Sequence, residues 1–195
     1  YAGLPLQTLS GPDKAANQKA VTDFLTGRHT WRADGAPFDL VVDAAVPAPQ
    51  PVGALFDFLL DLDGKMTADK RDLFKREIGV IGLGMNTVDL LAVEGGQTVE
   101  RFTAASQLGV RRLLEIVNGQ RLYSLGELDL QLRAGQLDLR EALPIWEREV
   151  TGVIEKQWGT AWKRFAAVLI MGGGAVLLKD TLPHRFNGRA YMPDE

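Results

Sequence analysis

Two glycine-bearing stretches have the residue types to hold a phosphorylated ligand. In "IGVIGLGMNTVDLL", residues 78–91, an apolar run ends in Gly82-Leu83-Gly84 and passes at once into Met85-Asn86-Thr87-Val88-Asp89. Glycine lets a backbone approach an anion with no Cβ in the way. Successive N–H groups of a turn, joined by a Thr hydroxyl, can gather around phosphate oxygens as a nest. In "AAVLIMGGGAVLLKDTL", Gly172, Gly173 and Gly174 stand between a strand and a helix. That places them at the C-terminal edge of a sheet, where open α/β sheets bind ligands. A glycine turn there lets a flat ring or a sugar lie against the backbone.

The first stretch allows two readings. Gly82-x-Gly84 after a strand matches the opening of the dinucleotide fingerprint. The third glycine of that fingerprint is Thr87 here, where close helix–strand packing wants Gly or Ala. The residues that follow also read as a strand: Thr87 and Val88 are β-branched, and Glu94-Gly95-Gly96-Gln97 is a turn signal. The second reading, favoured by those features, is a strand–loop–strand hairpin with Gly84, Met85, Asn86 and Thr87 turned toward phosphate.

Other chemistries find little support. The chain has no cysteine, which removes disulfides, thiolate metal sites and a Cys nucleophile. His29 and His184 are far apart and read as loop residues, and no HExxH spacing occurs, so no protein metal site is expected. No Ser lies in a G-x-S-x-G elbow and no G-x-x-x-x-G-K-[ST] loop is present. Net charge is −3, so no global positive field draws nucleic acid and no direct nucleic-acid binding is expected. Apolar runs reach about ten residues, short of the roughly 20 a membrane helix needs.

The elements that must position the two loops follow from periodicity. A strand end at residues 1–6 stops at Pro5, and a helix capped by Asp13 carries Ala16, Ala20, Phe24 and Leu25 at helical spacing. A hairpin turns at Asp34-Gly35, and "VPAPQP" breaks structure before a short helix in "GALFDFLLDLDG". "KMTADKRDLFKR" reads as a surface link and "TVERFTA" as an alternating strand. Three helical stripes follow, the last amphipathic with Trp146, Val150, Ile154 and Trp158 on one side.

The two loops, in their order, resemble the actin and heat-shock-chaperone ATPase superfamily. Its second phosphate motif runs apolar strand, Asp-x-Gly-x-x-Thr-Thr/Ser-Asp, here "IGLGMNTVDLL"; its adenosine motif is an apolar strand then Gly-Gly-x-Ala/Ser, here "VLIMGGGAVLL". The strongest likeness is to the plasmid-segregating bacterial actins of the ParM/StbA type. These carry a Gly-Leu-Pro-Val strand end, here "YAGLPLQ", a Gly-Val helix after the hairpin, here "QLGVRRLLEIV", and a triple-Gly-Ala loop.

The resemblance implies an α/β fold, an actin/ribonuclease-H-like lobe: a mixed sheet with helices on both faces and a small helical subdomain inserted. Residues 1–76 would be the last strand and helices of a first lobe plus a linker. Residues 77–195 would be a second lobe, with a phosphate hairpin at 78–103, helices at about 106–143 and an adenosine strand–loop–helix at 165–182. The chain then reads as a piece of a longer protein whose first phosphate loop lies elsewhere. The resemblance also implies ATP with Mg2+, phosphates at Gly84–Thr87, adenosine at Gly172–Gly174 with Glu127 and Arg133 as further contacts, self-association into filaments, a DNA-binding adaptor protein and a cytoplasmic setting. Gly82 stands where the family has the Asp that helps hold magnesium and the attacking water. No catalytic residue is therefore assigned, and a degenerate, non-hydrolysing scaffold is the rival within the same fold. A dinucleotide-dependent oxidoreductase is the rival outside it.

Overall fold

The structure, a computed structural model, describes residues 1–193. It divides into two compact units, Tyr1–Gly53 and Ala54–Glu195. The division falls inside a helix, earlier in the chain than residues 76/77.

In the first unit, β1 (Ala2–Leu4) is followed by a 3-10 turn (Leu6–Leu9), α1 (Lys14–Leu25), the hairpin strands β2 (Gly27–Ala33) and β3 (Ala36–Val42), and β4 (Pro47–Pro49). Here "VPAPQP" does more than break structure. Pro47–Pro49 form a strand parallel to β1, with Ala2 facing Pro47 and Leu4 facing Pro49. A two-stranded sheet is all edge, and an edge tolerates a residue with no N–H to give. The β2–β3 hairpin turns at Asp34-Gly35, both with positive φ, as a two-residue hairpin loop requires. Trp31 and Phe38 stack across it at 5.5 Å between ring centres. His29 thus lies on a strand, and His184 in a 3-10 turn (Pro183–Phe186), where loops were expected. The α1 stripe does not become a core: no residue of the helix is buried and Phe24 is 78% exposed. Asp13 sits at the N-cap without a side-chain capping bond.

The helix α2 (Gln50–Leu59) leads into the second unit, followed by α3 (Ala68–Phe74) in place of the expected surface link. Then come β5 (Glu77–Leu83), β6 (Val88–Glu94), β7 (Gln97–Thr98), a 3-10 turn (Glu100–Phe102) and β8 (Ala104–Ser106). The alternation in "TVERFTA" is therefore interrupted by a turn. Helices α4 (Val110–Val117), α5 (Leu125–Arg133) and α6 (Ala142–Trp158) precede a 3-10 turn (Ala161–Arg164), β9 (Ala167–Met171), α7 (Gly173–Leu177) and β10 (Ala190–Tyr191).

The sheet runs β10-β9-β5-β6-β7, with β8 also paired to β6. It is mixed: β9 is parallel to both β10 and β5, whereas β6 is antiparallel to β5, β7 and β8. Strand residues alternate between faces. Ile81, Leu83, Val88, Leu90, Val168 and Ile170 join Leu113, Leu114, Leu128, Trp146 and Val150 in one core beneath α4, α5 and α6. Trp146 and Trp158 are buried there with their indole N–H groups satisfied by the carbonyls of Leu108 and Phe102, each at 2.7 Å.

The alternate set, Ile78, Val80, Leu91, Val93 and Leu169, is buried as well. Tyr191 pairs in register with Leu169, so it projects on this second face. Its ring lies 4.9 Å from that of Phe58, which puts α2, with Leu55, Phe58 and Leu59 buried, over that face. The sheet is therefore covered on both sides, as the resemblance implied.

Candidate functional site

The first glycine stretch is a hairpin. Its strands pair from Glu77–Glu94 to Leu83–Val88, and the N–H of Gly84 closes the turn on the carbonyl of Thr87 at 2.9 Å. No helix opens after Gly82-x-Gly84, which overturns the dinucleotide reading.

The four turn residues are held from behind by α4. The N–H groups of Gly109, Val110 and Arg111 donate to the carbonyls of Asn86, Gly84 and Met85 at 3.2, 3.0 and 2.8 Å. Three of the orphan donors at the helix start are thereby satisfied, and the loop's carbonyls are committed inward. No hydrogen bond among the described residues uses the N–H groups of Met85, Asn86 or Thr87. Met85 and Asn86 are exposed and Thr87 is half-buried. Three consecutive donors with their acceptors turned away are the electrostatic arrangement of an anion nest.

Gly82 and Asp89 face each other across the ladder, so the two positions project on the same face of the sheet. Asp89 is buried and its Oδ2 accepts from the hydroxyl of Thr87 at 3.3 Å. The carboxylate that remains is thus tied to the last residue of the loop. Among the described residues, no group of three or more His, Cys, Asp and Glu side chains could hold a metal ion. The described residues do not by themselves fit a magnesium site.

The second glycine stretch packs onto the first. Gly172 has φ +93 and ψ 160, a region essentially confined to glycine. A Cβ on it would lie 2.5 Å from the carbonyl oxygen of Leu83. On Gly174 a Cβ would meet the same oxygen and Val110 at 3.0 Å. These two glycines therefore serve the junction between β9, β5 and α4. Gly173 differs: a Cβ there would meet nothing within 4 Å. It opens onto a cleft of about 540 Å³ walled by Met171, Val176 and Met192, with Lys179 as its cation. Apolar walls and a single charged group suit a flat, partly polar ligand.

Glu127 and Arg133 are not among the residues lining that cleft. Glu127 completes a capping box at the start of α5: its Oε2 accepts from the N–H and hydroxyl of Ser124 at 2.7 and 2.8 Å, and its own N–H donates to Ser124 Oγ at 3.3 Å. These bonds, that from the backbone N–H of Ser124 first, hold its carboxyl below the usual range. Arg133 donates to Asp129 one turn back at 2.8 Å, and that bond raises its guanidinium further above its ordinary value. Ser124→Ala is expected to cost about 1 kcal/mol in thermal or urea unfolding, with no change in ligand binding at the cleft.

Two residues of the site escape motif reading. Lys179 lies beyond the glycine triplet and reads as an ordinary helix lysine. Gly109 was visible only as part of "QLGV", a helix start, and its partner loop is distant in sequence.

No family model matches the sequence and no curated protein matches it. Solved structures do. ParM of pSK41, without ligand, aligns with 99% of this chain and 57% of its own at 19% identity and a TM-score of 0.69. The actin-like protein Alp7A aligns with 98% of this chain and 61% of its own at 15% identity and a TM-score of 0.74. The archaeal actin homologue Ta0583, in complex with ADP, aligns with 96% of this chain and 63% of its own at 16% identity and a TM-score of 0.69. This chain spans less than two thirds of each. With its mixed sheet, hairpin loop and glycine turn in the same molecule, the chain has the fold of the bacterial and archaeal actin homologues, ParM among them.

Proposed function

We propose that this chain is the nucleotide-binding part of an actin-like, filament-forming ATPase serving plasmid or DNA segregation in the cytoplasm. The observation that carries the reading is the loop at Gly84–Thr87. Its carbonyls are spent on α4 and the N–H groups of Met85, Asn86 and Thr87 are left to meet an anion. The β- and γ-phosphates of ATP would lie on those three N–H donors, with the Thr87 hydroxyl bonded to Asp89 beside them. The adenosine lies over Gly173, in the cleft beside Lys179. Glu127 and Arg133, the further contacts implied by the resemblance, are bonded to Ser124 and Asp129 and do not line that cleft. Bound nucleotide would supply the polyphosphate whose charge the loop's N–H dipoles stabilise, and any magnesium would come with the phosphates. The ADP complex of Ta0583 and the ParM filament solved from Clostridium botulinum support a nucleotide-dependent, self-associating protein. A DNA-binding adaptor would link the filament to its cargo. No described helix is long and apolar enough to cross a membrane.

ATP added to the isotopically labelled chain is expected to shift the amides of Met85, Asn86, Thr87 and Gly173 together. Adenosine alone should move only the Gly173 neighbourhood. Loop amides that ignore saturating ATP would sink the reading.

Gly82 favours a second reading, a scaffold that binds nucleotide without hydrolysing it. A parent protein that assembles with ATP, by light scattering, yet releases no phosphate selects it.

A further inference from the structure

The loop at Gly84–Thr87 is held by the start of α4, and its closest approach to that helix falls on a glycine. A Cβ on Gly109 would lie 2.6 Å from the carbonyl oxygens of Gly84 and Met85 and from the carbonyl carbon of Asn86. All three are backbone atoms, so no rotamer change relieves the clash. Gly109 itself has φ −65 and ψ −171, an extended conformation open to any residue. The need for glycine here is therefore imposed by the loop and not by the helix start. Behind it, Val110 and Arg111 complete the row of donors that hold the loop carbonyls inward.

Resting on the nucleotide reading, we propose that Gly109 is a positioning residue for the anion site. The start of α4 selects the loop conformation in which Met85, Asn86 and Thr87 present their N–H groups outward. A carbonyl released from α4 is free to rotate its peptide plane. The adjoining N–H then turns inward and the nest is lost. Linkage makes the coupling mutual. Whatever free energy the α4 contact gives to anion binding, a bound anion returns to the α4 contact. The helix that follows, with Leu113 and Leu114 in the core and Arg112 bonded to Glu149 of α6 at 2.9 and 2.7 Å, is thereby a carrier of the loop's occupancy into the helical region.

The test compares the wild-type chain with Gly109→Ala and Val110→Pro, using amide NMR and titration with inorganic pyrophosphate and ATP. Val110→Pro removes the donor to Gly84 while placing proline at the first helical position, which tolerates it. It serves if Gly109→Ala fails to fold. Expected in the absence of ligand is a preserved set of core resonances with displaced amides at Met85, Asn86 and Thr87. Affinity for both ligands should fall on the order of 10- to 100-fold, the range for groups that support a binding shell from behind. In the wild type, pyrophosphate should move the amides of Gly109, Val110 and Arg111 along with those of the loop. A folded variant whose loop amides do not move, or whose affinity is unchanged, overturns the positioning role. A wild type that binds neither pyrophosphate nor ATP overturns the nucleotide reading instead, and the ligand-free loop of the variants still judges the contact.

Discussion

Gly172→Ala is expected to cost roughly 2–6 kcal/mol, whereas Gly173→Ala, one residue on, should melt with the wild type. At Gly172 two costs add. The backbone occupies a region that an alanine enters at about 1–3 kcal/mol, with φ +93. The new methyl also meets the carbonyl oxygen of Leu83 at 2.5 Å, and overpacking of this kind costs about 1–3 kcal/mol. At Gly173 neither applies, because φ is ordinary and the space is open. The methyl there points into the cleft that the proposal fills with adenosine. Gly173→Ala should therefore weaken ATP binding without touching stability. Urea unfolding and ATP titration on the two variants read both quantities. A Gly173→Ala protein that binds ATP normally would move the base elsewhere, and a stable Gly172→Ala protein would contradict the packing of β9 on β5.

The second large effect lies at the foot of the same strand. Glu77 opens β5 and is 6% exposed. Arg164 holds its carboxylate with both Nε and Nη2, and Arg101 lies at 4.0 Å. The two guanidiniums flank the ring of Phe102 at 5.5 and 4.6 Å. Arg164 is half-exposed and the carboxylate is not, so the partners are unequal. Arg164→Ala removes the two-pronged partner and leaves the buried carboxylate with the longer Arg101 pair, a costly way to break such a bridge. It should lower the unfolding midpoint, by about 2–4 °C for each kcal/mol lost in a chain of this size. Glu77→Gln keeps an acceptor and leaves an arginine that water can reach, so its loss should be the smaller. Calorimetry on both variants checks the order, and equal losses would contradict the asymmetry.

The fold was legible where one signal decided an element. The turn at Glu94-Gly95-Gly96-Gln97, with β-branched residues before it, identified β6 as a strand and removed the dinucleotide rival. The apolar stripe at helical spacing on α6 places Trp146, Val150 and Trp158 in the core. Legibility failed where partners at long range settled the outcome. "VPAPQP" looks like a breaker until β1 lies beside it. The stripe of α1 looks like a core face, yet no residue of that helix is buried. In the site, glycine identity was readable but glycine purpose was not. Gly172, Gly173 and Gly174 are indistinguishable in a string of letters, and only the position of Leu83 separates the two that pack from the one that opens outward. Glu127 is a ligand contact by resemblance alone, whereas its capping role is legible from Ser124 three residues earlier.

Gly82 opposite Asp89 has a further consequence, for assembly of the hairpin. Acids at both positions would set two carboxylates roughly 5 Å apart on one face, and the strands would close against their mutual repulsion unless a counter-ion joined them. With glycine on one side, that repulsion does not arise. The β5–β6 ladder thus carries one acid at that rung, and no like-charge pair opposes its closing.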